Sequence, residues 1–152
     1  MKRLVLGIGN PILGDDGIGF HVINALESNP PVGDITLCSV DVSGLSLLDY
    51  IVGYDQVIIV DAIMTQNGKP GTVYRLGLEH FQPSKHTISP HDTDLPTALK
   101  LGAIMQLHIP EKISIVAIEI PQVHEFSQEC TPVVYHSIHK AIALIRSIID
   151  ES

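Results

Sequence analysis

The apolar positions of this chain change period several times, and each change marks an element. Residues 3–8 form a short apolar run closed by Gly9-Asn10-Pro11, which reads as a buried first strand. A tight loop rich in turn residues continues through Gly14-Asp15-Asp16-Gly17. Ile18, Val22, Ala25 and Leu26 then recur at helical spacing until Asn29-Pro30-Pro31 stops the helix. Residues 35–42 read as a second strand. Ser43 is placed to cap a helix carrying Leu45, Leu48, Ile51 and Val52, which ends at Gly53.

Val57-Ile58-Ile59-Val60 is apolar at every position, the pattern of a central parallel strand covered on both faces, and it is read as ending at Asp61. The turn from Asn67 to Gly71 leads into a short strand at 72–76. No helix separates that strand from its predecessor, so it is expected to run antiparallel. Residues 77–91 form a long loop with two prolines and three histidines. Loops of that length in compact domains are often functional. Asp94 is placed to cap a helix with Pro96 in its first turn and Leu95, Ala98, Leu99 and Gly102 on one face. Residues 112–120 are the last strand. Thr131-Pro132 opens a final helix striped by Val134, Ile138, Ala141, Ile142, Ile145 and Ile149. This alternation predicts an α/β fold: a three-layer α/β/α sandwich around a mostly parallel twisted sheet of about five strands, one of them antiparallel. Residues 1–152 are expected to form a single domain.

Composition narrows what such a fold does here. Of the 152 residues 45% are hydrophobic and none is Trp, so Ile, Leu, Val and Ala must build the core. A net charge of −8 without any Lys/Arg cluster argues against nucleic acid as a partner. The apolar run after Met1-Lys2-Arg3 is too short for a signal peptide, and no stretch approaches the roughly 18 apolar residues of a membrane helix. Cys38 and Cys130 form no CxxC pair, and Cys38 reads as a reduced core thiol. A cytoplasmic location without membrane attachment is therefore expected.

Ligands of open α/β sheets collect at the carboxyl ends of the strands. Asp16 follows strand one, Asp41 ends strand two, Asp61 ends strand three, and His91 closes the long loop. Topology alone thus brings three carboxylates and an imidazole toward one edge. Two oxygen donors and one nitrogen with open positions suit a divalent transition ion, which can polarise a carbonyl or activate water. Blander readings stand beside this one. One acid of Asp15-Asp16 is placed to cap the helix at Gly17. Asp41 is placed to serve a cap or turn, and a loop His is usually surface. A carboxylate ending an all-apolar strand, as Asp61 does, must be solvated, hydrogen-bonded or bound. Asp92 is placed to orient the His91 ring. His136 and His139, three apart on the last helix, read as solvated surface. Several motifs are absent: Gly7-Ile8-Gly9-Asn10-Pro11-Ile12 lacks the third glycine of a dinucleotide fingerprint, and there is no GxxxxGK[ST], G-x-S-x-G or HExxH.

The segment Leu6-Gly7-Ile8-Gly9-Asn10-Pro11-Ile12-Leu13-Gly14-Asp15-Asp16-Gly17-Ile18-Gly19, followed by Asp41-Val42-Ser43-Gly44-Leu45, Ile59-Val60-Asp61-Ala62 and Ile88-Ser89-Pro90-His91, resembles the hydrogenase maturation endopeptidases. Order and spacing of the four blocks match over nearly the whole chain. The resemblance implies a protease that removes the C-terminal extension of a nickel-iron hydrogenase large-subunit precursor, cutting after the His or Arg beyond its last metal-binding cysteine motif. It implies that Asp16, Asp61 and His91 bind nickel carried by the precursor, with Asp41 in support; Asp92 is expected in support from its place beside His91 alone. Relatives often carry Gly-Gly-Thr where this chain has Val42-Ser43-Gly44. The protein is expected to be monomeric until it meets its precursor. A chaperone that senses the metal without cutting is the alternative, and a nucleotide-binding domain is a third reading that would show stabilisation by nucleotides.

Overall fold

The computed structural model describes residues 1–42, 44–78, 87–88, 95–121 and 129–151. The strands are β1 (Arg3–Ile8), β2 (Ile35–Val40), β3 (Gln56–Thr65), β4 (Val73–Gly77), β5 (Thr87–Ile88) and β6 (Lys112–Glu119). The helices are α1 (Ile18–Ser28), α2 (Leu48–Ile51), α3 (Leu95–Ile104), α4 (Pro132–Tyr135) and α5 (Ile138–Asp150). Single 3-10 turns, Gly14–Gly17 and Gly44–Leu47, precede α1 and α2.

The main sheet has the order β2-β1-β3-β6-β4. Its pairings are parallel except at the edge, where β4 runs antiparallel to β6. Alternation along the central strand makes the layers. Val57, Ile59 and Ile63 face a core closed by Leu48 and Ile51 of α2 and by Leu95, Ala98 and Leu99 of α3. Ile58, Val60 and Ala62 face a second core closed by Ile18, Val22, Ile23 and Leu26 of α1 and by Ala141, Ile145, Ile148 and Ile149 of α5. Because both faces of β3 are covered, its side chains are apolar in sequence rather than alternating. Each fully buried Ile or Leu contributes roughly 1.5–3 kcal/mol of transfer free energy. The predicted three-layer sandwich is the observed fold. Among the described residues, no helix is long and apolar enough to cross a membrane.

Several details depart from the sequence reading, among them a second helix that is a 3-10 turn followed by the four-residue α2, and a second strand that ends at Val40. The third strand does not end at Asp61 but runs on to Thr65, and its last residues pair antiparallel with the two-residue β5. The edge strand β4 is antiparallel as expected, yet its partner is β6 rather than its sequence neighbour β3. The final helix is two: the buried Ser137 hydroxyl donates to the Val134 carbonyl, a local bond that competes with the helical ladder and separates α4 from α5. On α1, Ile23 rather than Ala25 completes the buried stripe. The proposed caps Ser43 and Asp94 lie outside the described residues.

Candidate active site

Strand β1 is the hinge of the architecture. It pairs on one side with β2, reached through α1, and on the other with β3, reached through α2. That reversal makes the carboxyl ends of β1 and β3 a topological switch point, where open sheets leave a crevice. The β1–β3 ladder stops at the pair Gly7 and Val60, so Asp61 is the first residue of β3 beyond it. What ends at Asp61 is this pairing, not the strand.

The loop leaving β1 fills the opening. A Cβ on Gly9 would stand 2.3 Å from the Asp16 carbonyl oxygen, so only glycine lets the Gly14–Gly17 turn lie this close on the strand end. The turn packs against β3. Asp16 is 1% exposed, and its Oδ2 accepts the Asn10 backbone N–H at 3.1 Å. Asp61 is 0% exposed and shares the sheet face of Ile59 and Ile63, toward α2 and α3. Its Oδ1 accepts the Ala62 N–H at 2.8 Å. Two buried carboxylates from segments far apart in sequence thus sit on the turn that leaves β1 and on β3, the strand that this turn packs against.

No side chain caps the turn or α1 at their N-cap positions, Leu13 and Gly17. Asp15 instead reaches across to the start of α4. It accepts the Thr131 N–H at 2.6 Å, and the Thr131 hydroxyl donates to both its oxygens at 3.1 and 3.0 Å. This tie fixes the turn that carries Asp16. Beside it, burial and secondarily the Asp15 charge push the Cys130 thiol up to about 12, so the thiol stays protonated near neutrality and is no nucleophile.

Asp41 stands exposed just after β2, at the same edge of the sheet. His91 and Asp92 lie outside the described residues. The strand that precedes His91 by three residues, β5, is paired through Ile88 and Thr87 to Met64 and Thr65 at the end of β3. Among the described residues, no group of three or more His, Cys, Asp or Glu side chains stands together as a metal site. His136 and His139 are exposed, as expected.

The sequence reading missed two residues. Asp15 anchors the site turn, and nothing in a bare Asp-Asp pair tells which acid goes where. Glu119, 1% exposed at the end of β6, accepts the Thr65 N–H at 2.7 Å, the Thr65 hydroxyl at 2.5 Å and the Tyr74 hydroxyl at 3.0 Å. The signal that singled out Asp61, an acid closing an apolar strand, marks Glu119 equally. Burial, then the hydrogen bond and charge of Glu119, raise the Tyr74 hydroxyl above its ordinary range.

A doubly wound sheet with carboxylates buried at its switch point is an enzyme-like binding architecture, and its relatives give it a chemistry. The chain belongs to the hydrogenase maturation proteases, whose family model matches residues 20–148. It is 32% identical to the hydrogenase 2 maturation protease of Escherichia coli (strain K12), over 100% of this chain and 93% of that protein. It superposes on the hydrogenase maturating endopeptidase HybD from E. coli with a TM-score of 0.84 at 31% identity, covering 99% of this chain and 93% of that one. A hydrogenase maturation protease from Thermococcus kodakarensis, at 21% identity and a TM-score of 0.74, shares the fold. The resemblance read from the sequence blocks is borne out, and the chain is a protease of hydrogenase maturation.

Proposed function

We propose that this protease removes the C-terminal extension of a nickel-loaded hydrogenase large-subunit precursor, and that Asp16, Asp61 and His91 grip the nickel the precursor brings. The observation that carries this reading is the burial of Asp16 and Asp61, 1% and 0% exposed, at the β1–β3 switch point. Carboxylates so deeply buried are retained where hydrogen bonds or a cation stabilise the charge. Hard oxygen donors joined by one imidazole fit a divalent first-row ion and leave positions for groups of the substrate. The ion, arriving as part of the substrate, supplies Lewis acidity at the scissile carbonyl.

The protein's own residues do the rest. Asp16 and Asp61 present oxygens from a tight turn and a central strand, so two of the three proposed ligands are positioned by the fold before the precursor arrives. Asp15, through Thr131, keeps the turn in place. Asp41 and Asp92 would support the three proposed ligands. The enzyme acts in the cytoplasm as a monomer that meets the precursor transiently.

Mass spectrometry of nickel-loaded precursor, before and after incubation with the protein, tests this directly. The precursor is expected to lose a defined C-terminal peptide, and Asp16→Asn, Asp61→Asn and His91→Ala each to abolish the loss. Calorimetric titration with nickel supplies a readout apart from cleavage: each variant should bind the ion more weakly than wild type. Binding of precursor without cleavage would instead identify a metal-sensing chaperone. Normal processing by Asp16→Asn and His91→Ala would overturn the site.

A further inference from the structure

A second feature of the same edge has no part in the metal chemistry. Between the β3–β4 turn and the α4–α5 segment lies a groove of about 910 Å³. That is the upper end of the roughly 300–1,000 Å³ typical of ligand pockets. Lys69 and Pro70 form one wall, His136, His139 and Lys140 the other, and Val73, Val133 and Leu144 supply apolar surface. None of the eleven described residues that line it is acidic. The chain as a whole carries 17 acids against nine Lys and Arg, so two of those nine on a lining without acids among its described residues reverse the local charge balance.

The groove is built in. A Cβ on Gly71 (φ +88°) would lie 2.8 Å from the Val133 carbonyl oxygen, so the turn rests directly on α4. The turn is tied to the carboxyl end of β6 by the Gly71 N–H, which donates to the Glu119 carbonyl at 2.9 Å. The other wall begins at the same edge, because Thr131, two residues before Val133, is bonded to Asp15 beside Asp16. The groove and the buried carboxylates are therefore joined through one short run of backbone.

We infer that this groove holds an acidic, extended segment of the precursor, its carboxylates paired with Lys69 and Lys140, while the cut is made at the switch point. The inference rests on the function proposed above. Two exposed lysines give little binding energy each, yet complementary charge along a groove fixes the register of a bound peptide and speeds its capture. The net charge of −8 speaks against a nucleic acid here.

Fluorescence anisotropy with a labelled hexapeptide rich in glutamate, and its glutamine counterpart, tests the groove apart from cleavage. Wild type is expected to bind the glutamate peptide, with affinity falling between about 50 and about 500 mM KCl. Lys69→Glu/Lys140→Glu should weaken it by about tenfold or more, and Lys69→Arg/Lys140→Arg should preserve it. With precursor, the charge-reversed variant should raise KM by a similar factor and leave kcat within about twofold. Equal binding of both peptides, equal KM in both variants, or displacement of the peptide by low millimolar phosphate would overturn the groove while leaving the protease standing. If wild type left the precursor uncut but still bound the glutamate peptide through the lysines, the protease reading would fail and the groove would stand.

Discussion

The approach of Gly9 to the Asp16 carbonyl ties the geometry of the site to a single missing methyl group. In Gly9→Ala the new Cβ would sit 2.3 Å from a backbone oxygen, whereas real Cβ contacts essentially never fall under 3.0 Å. The obstacle is backbone, so the turn itself must move by about 0.7 Å. Overpacking of this kind costs about 1–3 kcal/mol. For a domain of this size that lowers Tm by roughly 2–4 °C per kcal/mol. Catalysis should suffer more. Constellations of this type tolerate about 0.5 Å of displacement, and a 1 Å misplacement of a positioned group costs on the order of a hundredfold in rate. Gly33→Ala is the control. That glycine adopts φ +118° with nothing within 4 Å, so alanine there is strained by roughly 1–3 kcal/mol but distorts nothing at the site. Thermal melts paired with precursor cleavage should show both variants destabilised comparably. Only Gly9→Ala should fall by about ten- to a hundredfold in kcat. If the two lost activity in equal measure, or Gly9→Ala kept wild-type kcat, the turn would not be the device that aims Asp16.

Two further outcomes follow from neighbouring contacts. Thr131→Val deletes the hydroxyl bonds to both Asp15 oxygens but keeps the backbone N–H at 2.6 Å. A loss of about 1–1.5 kcal/mol is expected, with a larger proportional fall in cleavage than in folded fraction; unchanged melting and cleavage would show that the tie is idle. Tyr74 has its hydroxyl raised above 10.0 in the folded state, so the unfolded chain gives up its proton first. Its contribution to stability is complete below about pH 10 and is lost as pH rises toward the folded value. In Tyr74→Phe, urea melts should therefore show a shallower loss of stability above about pH 10 than wild type shows; parallel pH profiles would refute the coupling.

How much of this was legible in the sequence depends on the length scale of the force involved. The buried face of the helix at 95–104 was legible, with Leu95, Ala98, Leu99 and Gly102 buried as predicted, because an amphipathic period records one local decision repeated. The all-apolar run at 57–60 announced the central strand for the same reason. The end of that strand was not legible, since residues 61–65 continue only because β6 runs alongside as far as the pair Ile63 and Glu119 and β5 joins beyond it. Nor was the partner of β4, a choice made by strands remote in sequence. At the site, the burial of Asp61 was inferable from its apolar neighbours. The destination of Asp15 was not, because Thr131 lies 116 residues away and no periodicity reports a single long-range hydrogen bond.

Asp61 and Glu119 carry the same sequence signature and the same sheet face, and topology separates their parts. Asp61 pairs in register with Ala117, and Glu119 with Ile63, so the two acids sit one step apart along adjacent strands. Glu119 is met there by donors of the β3 end and of β4, which lock the turn forming one wall of the lysine groove. Asp61 lies where β1 has stopped and the Asp16 turn has come in. Under the function proposed above, the protease needs a firm grip on the precursor's ion and a separate hold on the chain leading to the cut. The β1–β3 crevice suits the first and the β4–α5 groove the second, and the Asp15–Thr131 bond keeps the two in fixed relation. Loosening that bond should therefore impair cleavage of the whole precursor more than binding of a short acidic peptide, which engages the groove alone.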